Sequence, residues 1–241
     1  MFNQKIKNMK KILSILLVTM FTMSAMAFAG SVLGQPEYIK VTNKTTNQTQ
    51  TILFSKFSNY QCDIDPSIFT LGFYSDDNIV VSYGGGSSMI TPQIIWGVGM
   101  NNNPYFLSDT SLSKEITISQ YASSLTFHCS YQSHFSTSGS VQPTIYDINI
   151  PKVHNDKRFY CSCALSTALR VTYNHYDEVR PYLKKNPYVS VVNYYSNDVV
   201  FSGYMDDNGE ITFNTGGKNG IVIVTVTVDG IALPSEKTYI Y

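Results

Sequence analysis

Residues 220–230 read GIVIVTVTVDG, and they predict a β-strand more firmly than any other stretch of the chain. Val222, Val224, Val226 and Val228 fall on one face at a period of two residues, so that face is expected in a core. The other face grades from isoleucine to threonine, which indicates contact with solvent along part of its length. Because β-branched residues fill the stretch, a helix is disfavoured.

The segments on both sides predict partner strands. Residues 210–213 follow the turn signal Asn208-Gly209, and residues 236–241 can return antiparallel to the valine strand. From Pro36 onward the chain reads as short alternating segments separated by polar turn clusters. This pattern predicts an all-β protein built from β-sandwiches.

Two groups of strands indicate two cores. In the first half, Trp96, Phe127 and Cys129 fall on the inward faces of alternating segments, and Pro151 ends the last strand of that group. The second half repeats the plan up to the valine strand. We therefore predict one sandwich domain over residues 36–151 and a second over residues 152–241.

Two features resemble known surface domains. A strand with an inward tryptophan, followed by a strand with an inward cysteine, resembles strands C and F of immunoglobulin-like domains. Residues 202–213, SGYMDDNGEITF, together with residues 220–230, look like the C-terminal half of bacterial Ig-like and PKD-like domains. The resemblance implies two tandem Ig-like antiparallel sandwiches with an adhesion, spacer or binding role, and it transfers no site residue.

The N-terminus has the pattern of a secretory signal peptide. Lys5, Lys7, Lys10 and Lys11 precede an apolar run over residues 12–21, which gives way to small residues before Gly30. We expect residues 1–29 to be cleaved, and a chain that is secreted, periplasmic or held at the cell surface. A second apolar span does not follow, so no membrane span is expected after cleavage.

The charge balance disfavours nucleic-acid binding. Lysine plus arginine and aspartate plus glutamate both number 17, so the chain has no net field that would attract a polyanion. The aromatic content of 13% includes 18 tyrosines. An unidentified protein or carbohydrate is the expected partner.

The four cysteines leave two alternatives open. In an exported chain Cys62, Cys129, Cys161 and Cys163 are candidates for disulfide bonds of undetermined pairing, and buried free thiols are the other interpretation. Histidines do not combine with these cysteines at zinc-site spacings, so we predict no metal and no cofactor. The acidic residues 206–210 are interpreted as a hairpin turn rather than a calcium loop.

One segment gives a hint of catalysis. Residues 163–168, CALSTA, loosely resemble the nucleophile-bearing helix of papain-like cysteine peptidases, but no histidine follows His175 to act as the base. Periodicity leaves residues 163–183 between strand and helix, and we favour a strand over residues 169–174. We predict a non-catalytic binding, adhesion or structural module. The alternative is a secreted glycan- or peptide-directed hydrolase without a recognisable motif.

Tyrosines near strand ends are the predicted contacts of a recognition module. Tyrosine offers a large rigid apolar face and one hydroxyl at a small entropy cost. The candidates are Tyr194, Tyr195, Tyr239 and Tyr241. The alternative is that one tyrosine of each pair fills the core.

Overall fold

β-Strands dominate the computed structural model, which describes residues 38–84, 93–101, 103–110, 113–132, 144–165 and 167–240. The predicted signal peptide, residues 1–29, lies outside the described residues. The first nine strands are β1 (Tyr38–Asn43), β2 (Gln48–Leu53), β3 (Gln61–Asp63), β4 (Asn78–Gly84), β5 (Gln93–Met100), β6 (Asn103–Thr110), β7 (Ser113–Thr117), β8 (Leu125–Gln132) and β9 (Thr144–Ile150).

These nine strands form two sheets that face each other. One sheet has the order β2-β1-β4-β7 and the other the order β3-β9-β8-β5-β6. All neighbours are antiparallel except β3, which pairs with β9 in parallel over three residues. β3 is parallel to β9 because the chain crosses from one sheet to the other between β2 and β3.

The following strands form a second pair of sheets. They are β10 (Phe159–Leu165), β11 (Ala168–Tyr173), β12 (Tyr188–Asn193), β13 (Val199–Tyr204), β14 (Glu210–Asn214), β15 (Gly220–Val228), β16 (Ile231–Ala232) and β17 (Glu236–Ile240). One sheet has the order β10-β11-β14. The other has the order β13-β12-β15, with β16 and β17 both pairing with β15. The predicted valine strand is therefore the centre of its sheet.

Residues 163–183, whose periodicity fits both strand and helix, contain both a strand and a short helix. Strand β11 confirms the prediction for residues 169–174, because it finds partners on both sides in β10 and β14. The chain then forms the single-turn helix α1 (Tyr176–Val179) and a 3-10 turn, Arg180–Tyr182. A second 3-10 turn, Phe54–Lys56, follows β2.

The strand order is Ig-like in both sandwiches. In the second sandwich β10, β11 and β14 form one sheet, and β12, β13, β15 and β17 form the other. The first sandwich repeats this partition with β1, β4 and β7 against β5, β6, β8 and β9. Such a partition, with connections that cross between the sheets, defines the Greek-key sandwich of immunoglobulin-like domains. The predicted fold class is confirmed.

Each sandwich has its own apolar cluster. The first contains Ile39, Val41, Ile79, Val81, Phe127, Cys129, Ile148 and Ile150, all fully buried. Phe127 and Cys129 thus share a core as predicted, whereas the side chain of Trp96 lies outside the described atoms. The second cluster contains the four valines of β15 together with Val189, Val191, Leu169, Val171 and Phe213. Burying a valine side chain stabilises the fold by about 1.5 kcal/mol or more.

Candidate functional site

The outward side of the β13-β12-β15-β17 sheet carries aromatic and aliphatic side chains in cross-strand rows. Because the even-numbered valines of β15 point into the core, its odd-numbered residues and their partners point outward. We call this surface the outer face. Its four rows are Tyr204-Tyr188-Thr227, Ser202-Ser190-Thr225, Val199-Val192-Ile223-Lys237 and Tyr194-Ile221-Tyr239.

Aromatic rings stand at both ends of the outer face. At one end the rings of Tyr188 and Tyr204 lie 5.0 Å apart in an edge-to-face arrangement, and Tyr204 is 57% exposed. At the other end the Lys237 ammonium lies 3.6 Å from the centre of the Tyr194 ring, a cation–π contact. The ends are about 20 Å apart along β12, since a strand advances 3.3 Å or so per residue. Val199, 62% exposed, fills the third row.

The structure brings three of the four predicted tyrosines to one end of the outer face, where the rings of Tyr194 and Tyr195 lie 5.2 Å apart in an edge-to-face contact. Tyr194 and Tyr239 lie in the same row on either side of Ile221, and the backbone amide of Tyr194 donates to the Ile221 carbonyl at 2.9 Å. Tyr195 lies in the turn after β12 and is 75% exposed. Tyr241 lies outside the described residues. The alternative in which one tyrosine of each pair fills the core is wrong for Tyr194 and Tyr195, since both are exposed. For the second pair it stays a prediction, because Tyr239 is exposed and Tyr241 lies outside the described residues.

Sequence reasoning missed the tyrosine pair at the other end of the outer face. Tyr188 begins β12 and Tyr204 ends β13, so neither stands out in a short alternating segment. Tyr188, Ser190 and Val192 are two residues apart, so the sequence alone could have placed their side chains on the same face of the strand. Tyr204 joins it only because the two strands pair in that register.

A buried ion pair joins the two sandwiches. The Arg158 guanidinium donates to Asp77 Oδ2 at 2.6 Å and to the backbone carbonyls of Leu71 and Gly72. It also lies 4.2 Å above the centre of the Tyr74 ring. Arg158 and Asp77 are both buried, and Asp77 Oδ2 accepts two more hydrogen bonds, from Asn43 Nδ2 at 2.9 Å and the Tyr74 amide at 3.0 Å.

A cluster of metal-ligating groups lies on the surface of this junction. Ligand atoms of His154, Asp156 and His175 lie within 4.8 Å of one another, and Glu178 lies beside both histidines. Burial and the neighbouring His175 lower the pKa of the His154 imidazole. The prediction of no metal site rested on the spacing of the histidines, and spacing along the chain does not show that folding brings His154 and His175 together with Asp156.

The four cysteines are free thiols in the structure. Burial raises the pKa of Cys129 to about 12, and burial followed by the nearby Glu236 raises that of Cys161 to about 12. Both sulfurs are therefore protonated and poor nucleophiles at neutral pH. Cysteine pairing stays a prediction.

Cys163 lacks the setting of a peptidase nucleophile. It is exposed on β10, which ends at Leu165 and is followed directly by β11. The resemblance to a nucleophile-bearing helix is therefore wrong, because strand pairing with Leu169 fixes Cys163 in an extended backbone.

The acidic run over residues 206–210 is a hairpin tip, as predicted. Asp206 Oδ1 accepts the backbone amides of Asn208 and Glu210 at 2.9 and 3.0 Å. This carboxylate satisfies amides of its own turn.

Within the described ranges, no helix is both long and apolar enough to cross a membrane.

Neither the protein-family models nor the curated proteins compared with the sequence match it. Among solved structures, the chain is similar to the chicken interferon gamma receptor alpha chain, with 16% identity over 70% of this chain and 94% of that one and a TM-score of 0.30. It is similar to the BSP domain of a biofilm associated protein, with 13% identity over 70% and 28% and a TM-score of 0.28. Fibronectin(III)-like modules of Clostridium thermocellum match at 13% identity over 70% and 87% with a TM-score of 0.25. The fold assignment rests on the strand order and the two cores described above.

Proposed function

We propose that this protein is a non-catalytic recognition module of the cell exterior, and that it binds a protein partner through the outer face. The observation that carries the proposal is the arrangement of that face, with tyrosine pairs at both ends. Between them lie a row of hydroxyl side chains and a row in which exposed Val199 stands beside half-buried Val192 and Ile223. Exposed aromatic and aliphatic surface grouped on one face usually marks a binding site.

The side-chain types favour a protein partner. Tyrosines are enriched at the energetic centres of protein interfaces, where an apolar ring and one hydroxyl meet a dry surface. Val199 and Val192 add branched aliphatic contacts, and Lys237 is the one charged residue in the four rows. A sugar ligand needs carboxylate or amide side chains beside the rings to bond its many hydroxyls. The four rows carry neither, and such groups, Asn186 and Asp229, line the surface beside Tyr188 and Tyr204.

Two further parts of the proposal concern location and organisation. We propose that residues 1–29 direct export, so that the chain acts as a secreted, periplasmic or surface protein. We also propose that residues 36–151 and 152–241 are its two domains. The separate apolar clusters support this division. Among the described residues, Leu71 of the first half joins the second cluster and Val153 of the second half joins the first.

The test is a binding screen with matched variants. The exported chain is applied to an array of extracellular proteins and glycans, and each hit is measured again with a Tyr204→Ser/Tyr239→Ser double variant. Tyr160→Ser is the control, because Tyr160 is also exposed but lies on β10 in the opposite sheet.

We expect a protein hit whose affinity falls at least about ten-fold in the double variant, the effect of losing an interface hot spot. The control is expected to bind like the wild type. Two outcomes would contradict the proposal: hits on glycans alone, or a protein hit that binds the double variant as tightly as it binds the Tyr160→Ser control.

A further inference from the structure

The histidine and aspartate cluster is built from the connection between the two sandwiches and from one turn of the second. His154 and Asp156 lie in the segment that joins β9 to β10, and His175 lies in the turn that joins β11 to α1. These three residues are 21 or fewer positions apart, but only the packing of the connection against β11 brings their side chains together. The cluster is separate from the outer face.

The ligand atoms are close and correctly matched in type. The two imidazole rings are stacked with centres 3.8 Å apart and planes 19° from parallel. His175 Nε2 lies 3.2 Å from both carboxylate oxygens of Asp156. Glu178 places one oxygen 3.6 Å from His154 Nε2 and the other 3.7 Å from His175 Nδ1. The Lys152 ammonium, 2.6 Å away, holds Glu178 in this position.

The surrounding structure fixes the His154 side chain before any ion binds. The His154 side chain is only 9% exposed, its ring packs 4.6 Å from that of Tyr74, and its backbone amide donates to the Phe73 carbonyl at 2.9 Å. The nearest carboxylate oxygen to its Nε2, at 3.6 Å, is beyond hydrogen-bond distance. A polar ring is thus held in a buried position and aimed at a group of oxygen and nitrogen ligands.

His175 is held in a strained backbone conformation. Its φ of 54° and ψ of 34° place it in the left-handed region, which a residue with a β-carbon adopts at a cost. Such strain persists where the surrounding structure enforces it, and it concentrates at ligand-binding sites. Here the conformation turns the imidazole back onto His154.

We propose that His154, Asp156 and His175 bind one divalent transition-metal ion, with Zn²⁺ as the expected type. Two imidazole nitrogens and one carboxylate oxygen form a ligand set that zinc accepts, whereas Mg²⁺ and Ca²⁺ require mainly oxygen ligands. Zinc bonds of about 2.0–2.1 Å bring tetrahedral ligand atoms roughly 3.3 Å apart. The ligand atoms already lie within 4.8 Å of one another. Rotation of the partly exposed His175 and Asp156 side chains takes the His175 ring out of its stack on His154 and points both groups at one ion.

Metal binding at this position has a structural consequence. The ion joins the connecting segment to the first turn after β11, next to the buried Arg158–Asp77 pair that holds the two sandwiches together. An ion that binds only the folded chain shifts the unfolding equilibrium toward the folded state. Zinc is therefore expected to raise the melting temperature of the whole protein.

The test uses the intact exported chain, freed of metal with a chelator. Zn²⁺ binding is measured by titration calorimetry, and Co²⁺ is added separately because its visible spectrum reports ligand type and geometry. The variants are Asp156→Asn, which keeps the shape, and His175→Asn, because asparagine tolerates the left-handed conformation. His128→Gln is the matched control, since His128 forms a similar ion pair with Asp147 at 2.7 Å in the first sandwich.

We expect one Zn²⁺ per chain, an affinity at least about ten-fold weaker in Asp156→Asn and His175→Asn, and no change in His128→Gln. Zinc should raise the melting temperature of the wild type and the control. Circular dichroism in the presence of chelator checks that the variants fold. If one variant does not fold, the ¹⁵N NMR chemical shifts of the two imidazoles in the zinc-loaded wild type show whether both rings bind the ion.

Three results would overturn the proposal. The first is wild-type protein that shows neither zinc-binding heat nor a rise in melting temperature. The second is a thiolate-to-cobalt charge-transfer band, which would assign the ion to a cysteine. The third is folded Asp156→Asn and His175→Asn variants that bind zinc as the wild type does.

Discussion

At the scale of single residues, Arg158 has the most demanding environment in the described chain. Its guanidinium is buried against Asp77, two backbone carbonyls and the Tyr74 ring. Desolvation of a charge is expensive, and the surroundings offset it with charge-assisted hydrogen bonds. Removal of Arg158 leaves the Asp77 carboxylate buried without its counter-charge, with only the hydrogen bonds from Asn43 and the Tyr74 amide.

We therefore predict that Arg158→Met lowers the free energy of unfolding by about 3–5 kcal/mol, the cost of breaking a buried ion pair. Urea denaturation at neutral pH measures the change. Arg170→Met is the control, because Arg170 is exposed on β11, and its effect is expected within about 0.5 kcal/mol. Equal effects of the two substitutions would show that the junction ion pair stabilises nothing.

Glu236 gives a prediction about pH. Burial raises the pKa of its carboxyl group, and among the described residues its Oε2 has no hydrogen-bond partner. Because the folded pKa lies above the unfolded one, the folded chain holds this proton more tightly. The stability that this group contributes is present below the unfolded pKa and is lost as pH rises through the folded pKa.

The expected result is that Glu236→Gln melts at a higher temperature than the wild type at pH 7. The advantage should disappear near pH 4, roughly the pKa of an unperturbed glutamate, where the wild-type carboxyl is itself protonated. Glu115→Gln is the comparison, since Glu115 forms an exposed ion pair with Lys44 that contributes little. A Glu236→Gln variant that is less stable than wild type at pH 7 would contradict this account.

Sequence predicted single residues only where a strict period applied. The even-numbered valines of β15 are all buried, because a strand must alternate its side chains and one face of this strand has nothing polar. Arg158 and Asp77 are 81 positions apart in the sequence, and a local sequence pattern cannot predict a contact at that separation. The same holds for Tyr204, whose partner depends on register, and for the metal-ligating cluster, which depends on the packing of a loop.

At the scale of elements, the hairpin tip before β14 shows how a turn is locked into place. Gly209 has a φ of +73°, and a β-carbon there would overlap the Tyr176 ring of α1. The Tyr176 hydroxyl in turn donates to Asn186 Oδ1 at 2.9 Å. The turn, the helix and the start of β12 therefore pack as one unit at this end of the second sandwich.

We predict that Gly209→Ala destabilises the protein more than Gly216→Ala, by about 1–3 kcal/mol from overpacking beyond the shared backbone strain. Gly216 is the matched control, because its φ of +67° is similar and nothing lies within 4 Å of the added carbon. Chemical denaturation of both variants gives the difference. Equal losses would mean that Tyr176 moves aside without cost.

Elements were predictable when their own pattern determined them and less so when pairing did. β15 followed from eleven residues of sequence, whereas residues 163–183 fitted both helix and strand. Pairing with β10 and β14 makes this segment a strand up to Tyr173. Beyond Tyr173 these pairings end, and the chain forms the helix α1. No local sequence pattern predicts the parallel pairing of β3. The pairing arises because the fold places β3 beside β9.

At the scale of the whole molecule, the junction couples the two sandwiches. Leu71 comes from the first half and packs in the second core, and the Tyr74 hydroxyl donates to the Asn174 carbonyl at 2.8 Å. Ser75 donates to the carbonyls of His154 and Asp156. Unfolding of either sandwich therefore breaks contacts that the other one uses.

We predict that the wild-type protein unfolds in one calorimetric transition, and that Arg158→Met separates it into two, because the loss of the ion pair uncouples the sandwiches. Differential scanning calorimetry at several scan rates is the measurement. The Arg170→Met control should keep one transition. Two well-separated transitions already present in the wild type would show that the junction does not couple the sandwiches.

The central claim is that the outer face of the second sandwich recognises a protein, and amide hydrogen exchange of the complex tests it most directly. With the protein found by the array, the account predicts slower exchange in β12, β13, β15 and β17. Exchange in β10, β11 and β14 should not change, because those strands lie in the opposite sheet. Protection confined to β10, β11 and β14, or to the first sandwich, would contradict the claim.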